Sequence, residues 1–83
     1  MNEFYFTFRS MTAAQQGSME LSMYGIPAAF LRTPRALSEL GCGYAVRVGP
    51  GDGQRAAAAL RRSDIRFEKI IQTGPGGPKE VWL

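Results

Sequence analysis

Phe4, Phe6 and Phe8 alternate with Tyr5, Thr7 and Arg9. Apolar side chains at every second position fit a strand with one buried face, because successive strand residues point to opposite sides of a sheet. The rest of the chain must therefore supply both neighbouring strands and a cover. Its 83 residues suit one compact domain. A domain of this size buries only about 60 to 65% of the surface its unfolded chain exposes. The core is thin, and contact with a partner or a second copy would stabilise it.

Ser10 or Thr12 can cap a helix by accepting a backbone N–H bond. Ala14, Gly17, Leu21 and Tyr24 follow at helical spacing, with Met11 and Met19 near the same side, and Gly25 suits the left-handed residue that ends a helix. Pro27 introduces a second strand, AAFLR, in which Phe30 and Leu31 cannot both face inward. Thr33 as cap and Pro34 at the first helical position start a short helix through RALSEL, which Gly41 ends. Tyr44, Val46 and Val48 alternate with Ala45 and Arg47 in a third strand. Asp52 caps a helix that begins at Gln54 and closes with Arg61 and Arg62, where positive charge suits the helix dipole. Ile65, Phe67 and Ile71 supply a fourth strand, with Lys69 interrupting the alternation, and TGPGGP separates it from KEVWL.

Strand-helix-strand, repeated, predicts an α/β sandwich (α+β) of the ferredoxin-like βαββαβ type, a four-stranded antiparallel sheet with two helices on one face. The turn after Pro34 is expected at the sheet edge between the second and third strands. Phe4, Phe6, Phe8, Val46, Val48 and Phe67 should form the core, with Leu21 and Leu60 the most buried helix residues. Residues 1–73 make one domain, and 74–83 make a Gly/Pro hinge with an apolar tail, Val81-Trp82-Leu83. Such a tail is expected to dock as an added strand, on this sheet or on a neighbouring chain.

Composition removes several function classes. One cysteine allows no intrachain disulfide, and the absence of histidine removes Ser-His and Cys-His pairs together with the commonest metal ligand. No metal site or cofactor is expected. The seven carboxylates show no spacing that suggests acid-base work, and TGPGGP lacks the Lys-Ser/Thr ending of a phosphate loop. A net charge of +3 does not by itself imply nucleic acid. RNA binding on an open sheet would need Tyr5 and Tyr44 in solvent, whereas Tyr44 alternates with Val46 and Val48 on the core side. MNEFYFTFRS carries Glu3 and no continuous apolar stretch, and no segment has membrane-spanning length. The cytoplasm is the expected location.

Cys42 stands between Gly41 and Gly43, with Arg32 and Arg35 before it and Arg47 after it. Nearby cations favour the nucleophilic thiolate, and flanking glycines leave a sulfur uncovered. Arg35 and Arg47 reach Cys42 if the loop folds back on the third strand. A position just past a helix C-terminus acts the other way, since the negative end of the dipole disfavours a thiolate. Free cysteine is also among the most buried residue types, so a filler beside a tight turn is the competing reading.

Gly25-Ile26-Pro27, Thr33-Pro34-Arg35, Ser38, Cys42-Gly43 and Arg47 follow one another in an order that resembles a small bacterial family of selenium/sulfur carrier-like proteins. The resemblance covers roughly residues 3 to 71. The interval from Ser38 to Cys42 is one residue longer than the family's usual spacing, and the tail from Gly74 onward has no counterpart in its pattern. The resemblance implies a carrier, not a stand-alone enzyme, with a persulfide on Cys42 and Arg35, Gly43 and Arg47 as binding residues. The implied partner is a cysteine desulfurase or another selenium/sulfur-transfer enzyme, and a homodimer is compatible with so thin a core. A dimeric interaction or regulatory module with a structural cysteine is the alternative.

Overall fold

The computed structural model describes residues 2–41 and 43–83. Its elements run β1 (Phe4–Phe8), α1 (Met11–Met23), β2 (Ala28–Arg32), a single 3-10 turn (Arg35–Leu37), β3 (Tyr44–Val48), α2 (Gly53–Arg62), β4 (Lys69–Gln72) and β5 (Lys79–Val81). The strands form one antiparallel sheet in the order β2-β3-β1-β4-β5.

The phenylalanine strand lies at the centre of this order. Phe6 pairs with Val46 on one side and Ile70 on the other, so all three project to the same face. That face carries both helices. Phe4, Phe6, Phe8, Val46, Val48 and Ile70 form one buried cluster with Ala14 and Leu21 of α1 and Ala56, Ala57, Ala59 and Leu60 of α2. Ser10 caps α1 by accepting a hydrogen bond from the Ala13 N–H, and Gly25 takes the left-handed conformation after it with φ +75°. The Ser63 hydroxyl donates to Glu20, tying the end of α2 to α1.

Several expectations are corrected. The sheet has five strands, not four, because the C-terminal segment takes the first of its two expected places, as an added strand on this sheet, pairing with β4 over Ile70–Val81, Ile71–Glu80 and Gln72–Lys79. Leu83 then packs against the helix-face cluster, and Arg61 Nη1 donates to its carbonyl at 2.7 Å. The fourth strand starts at Lys69; Ile65 and Phe67 reach the core from the preceding loop, where Phe67 meets Phe6 edge-to-face at 5.1 Å. Met11 and Met19 are exposed, since the buried stripe of α1 is confined to Ala14, Gly17 and Leu21. α2 begins at Gly53, one residue earlier than expected; Asp52 holds the N-cap position but makes no side-chain cap bond, and its Oδ1 accepts from Arg55 Nη1 at 3.1 Å.

The opposite face of the sheet is covered too. Tyr5, Ala45 and Ile71 project there and are buried under Leu37, with Leu31 and Leu40 beside them. The segment after Pro34 therefore lies across the second face, where its leucines find apolar partners, and not at the sheet edge. With Tyr5 only 8% exposed, this face offers no open aromatic platform of the kind RNA stacking needs.

Candidate functional site

The β2–β3 ladder continues one step past Arg32–Tyr44, where the Thr33 N–H donates to the Gly43 carbonyl at 3.0 Å. That bond brings Thr33 and Gly43, the two ends of the connection between β2 and β3, together. Pro34 sits at the cap position of the turn with φ −56° and ψ 147°. Thr33 makes no capping bond, which corrects the cap expected there: the following segment is one 3-10 turn, not a longer helix. The Ser38 hydroxyl donates to the Arg35 carbonyl at 2.9 Å, and the N–H groups of Leu40 and Gly41 both donate to the Leu37 carbonyl.

Two contacts seat this loop on the sheet. Leu37, 3% exposed, fills the space over Tyr5, Ala45 and Ile71. Gly41 lies against Thr7 so closely that a Cβ at position 41 would stand 2.5 Å from Thr7 Cγ2. Only glycine permits that approach. Thr7 is itself fixed, because its hydroxyl accepts from the Lys69 N–H at 3.1 Å. The loop is thus tied to β1 through Thr7 and to the β2–β3 ladder through Gly43.

Cys42, and with it the expectation of a reactive thiol there, lies outside the described residues; its two neighbours are described. Gly41 is half-buried on Thr7, while Gly43 is exposed and nothing comes within 4 Å of the place a Cβ would take on it. Arg35 is exposed at the first position of the 3-10 turn. Arg47 projects to the loop-bearing face but stands four residues along β3 from Gly43, about 13 Å at strand rise. Its Nε lies 3.9 Å from Glu3 Oε2 in a half-exposed ion pair.

The arginine whose backbone lies beside the loop closure is Arg32, paired with Tyr44 in the β2–β3 register. Its guanidinium stands 5.6 Å over the Tyr44 ring, and Phe30 stacks on the same ring at 6.3 Å and 9°. What places it there is the antiparallel β2–β3 register continued to Thr33–Gly43, which no local sequence signal reports. Thr33 is the second residue whose place was not foreseen. Its Oγ1 is the one buried side-chain polar atom without a hydrogen-bond partner among the described residues.

Among the described residues no group of three potential metal ligands is found, and no helix is long and apolar enough to cross a membrane. What the loop offers chemically is a chain turn fixed at both ends, with a bare, exposed backbone at Gly43.

The model of a protein family described as "Putative Se/S carrier protein-like" matches residues 3–72. That span holds β1 through β4 and ends before β5. Neither the curated proteins nor the solved structures compared with the chain match it.

Proposed function

Because the chain belongs to this carrier-like family, we propose that Cys42 carries sulfur or selenium as a persulfide or selenopersulfide and passes it to a partner enzyme. The observation that supports this most is the anchored loop: Thr33 bonded to Gly43, Gly41 seated on Thr7, and an exposed glycine directly after the cysteine. A carrier needs its sulfur on a defined perch with no neighbouring side chain in the path of a second active site. It does not need a general base of its own.

The exchange balances without an added oxidant or reductant. The Cys42 thiolate attacks the terminal sulfur of a persulfide on the donor, a cysteine desulfurase or another selenium/sulfur-transfer enzyme. A new S–S bond forms on Cys42, the S–S bond of the donor breaks, and the donor cysteine leaves as thiolate. The transferred sulfur keeps its oxidation state. Arg35, exposed at the start of the turn, and the bare backbone of Gly43 serve as contacts for the incoming partner. Arg47 contributes positive charge on the same sheet face. We assign this role to residues 1–73 as a ferredoxin-like βαββαβ unit acting in the cytoplasm, with 74–83 as an appended tail. The order β2-β3-β1-β4 supports that reading of the first four strands.

The competing reading, an interaction module with a structural cysteine, is favoured by Phe30, which is 36% exposed on an edge strand. Alkylation separates the two. A carrier is labelled by iodoacetamide under native conditions and then loses sulfur transfer. If labelling needs denaturant, or transfer survives complete alkylation, the carrier reading fails.

A further inference from the structure

β2 forms one edge of the sheet and β5 the other, and the two edges differ. β5 is three residues long and carries Lys79 and Glu80, devices that discourage pairing with another chain. β2, Ala28-Ala29-Phe30-Leu31-Arg32, is uncharged up to its last residue and runs in unbroken register with β3. It has none of those protections at its centre.

The direction of its free backbone groups follows from the ladder. Thr33 bonds to Gly43 across from it, and antiparallel strands alternate hydrogen-bonded with non-hydrogen-bonded pairs. Leu31 and Ala29 share the phase of Thr33 and turn their N–H and C=O groups toward β3. Ala28, Phe30 and Arg32 turn theirs outward, with no strand beyond them. The Phe30 side chain stacks on Tyr44 along one side only and stays 36% exposed.

We propose that a second copy of this chain pairs with this edge, β2 against β2, antiparallel about a two-fold axis at Phe30. The strand is self-complementary in that register. Phe30 meets Phe30 of the second copy as a hydrogen-bonded pair, and Ala28 meets Arg32 on either side of it. Every outward N–H and C=O of the three positions then has a partner. The two arginines lie at opposite ends, each across from an alanine, so no like charges face each other. The two Phe30 rings complete an aromatic row that runs from one Tyr44 to the other. Isologous pairing of this kind closes on itself at two copies. Leu37 and Leu40 cover the other face of the sheet and leave the β2 edge clear, so pairing is compatible with sulfur exchange and does not depend on it.

Sedimentation in reductant, over a concentration series, tests the pairing without interference from Cys42 disulfides. The mass should rise from 9.1 kDa toward twice that value with concentration. Phe30→Lys, which sets two ammonium groups opposite each other, should hold the chain at monomer mass, while Met23→Lys on the exposed face of α1 should leave the dimer intact. A chain that stays monomeric throughout, or a dimer that Phe30→Lys does not weaken, overturns the proposal. Should Phe30→Lys fail to fold, amide exchange on the unaltered chain decides. Exchange at Ala28, Phe30 and Arg32 should slow with concentration while Ala29 and Leu31 stay protected throughout; unchanged exchange at the outward three overturns it.

Discussion

Gly41 rests on Thr7 with no room for a methyl group between them, since a Cβ at position 41 would lie 2.5 Å from Thr7 Cγ2 and 3.0 Å from its Cβ. Thr7 is fully buried on the central strand and cannot yield. Gly41→Ala should therefore lift the loop from the sheet and cost about 1 to 3 kcal/mol, the range of overpacking in a well-packed site. Gly43→Ala, with open space around it, should leave stability unchanged. Urea unfolding of the two variants checks this, and equal midpoints would contradict it.

Phe6 anchors the whole fold. It is fully buried, pairs with Val46 and Ile70, and meets the Phe67 ring edge-to-face. Phe6→Ala is expected to cost about 3 to 5 kcal/mol. Against a total of about 5 to 15 kcal/mol for natural domains, that brings a chain of this size close to unfolding. Circular dichroism and urea titration should show a large loss of cooperative structure.

The tail contributes through Leu83 more than through Trp82. Leu83 packs on the core and its carbonyl accepts from Arg61, whereas Trp82 is 81% exposed. Removing residues 74–83 deletes the β4–β5 ladder as well, and should lower Tm by at least about 4 °C, the shift expected for 1 kcal/mol in a domain this small. Trp82→Ala should leave Tm unchanged. An unaltered melting curve after truncation would show that the fifth strand adds no stability.

Arg47 and Glu3 form an exposed pair at 3.9 Å. Pairs of this kind are worth at most about 1 kcal/mol, so Arg47→Ala should leave unfolding almost unchanged. A loss of sulfur transfer in that variant would then report partner contact and not a damaged fold. Salt should weaken the transfer of the unaltered chain more than that of the variant.

Much of the architecture was legible because its signals are local. The period of Phe4-Tyr5-Phe6-Thr7-Phe8 reports the central strand, Ser10 caps α1, and Leu21 and Leu60 are fully buried as their spacing implies. The fifth strand was legible in part: the apolar end Val81-Trp82-Leu83 pointed to an added strand, on this sheet or on another chain, without saying which. Lys79–Val81 has no periodicity to read, and its pairing with Ile70–Gln72 is decided by the turn between them and by where Leu83 can be buried. The loop over the second face was hidden for a related reason: Leu37 and Leu40 report only that they need cover, while the partner surface is assembled from β1, β3 and β4. At the site, the glycines beside Cys42 could be named from the sequence. That Gly41 is required by Thr7, and that Arg32 instead of Arg47 shares the loop closure, depend on strand register.

Persulfide carriage on Cys42 is tested most directly by intact mass. The protein is incubated with a cysteine desulfurase and free cysteine, desalted without reductant and weighed. The chain should gain about 32 Da, one sulfur atom, and lose it again on treatment with a thiol. Cys42→Ser, folded by circular dichroism, should gain nothing. An unmodified mass under conditions where the desulfurase itself carries persulfide, or an equal gain in Cys42→Ser, would contradict the carrier role.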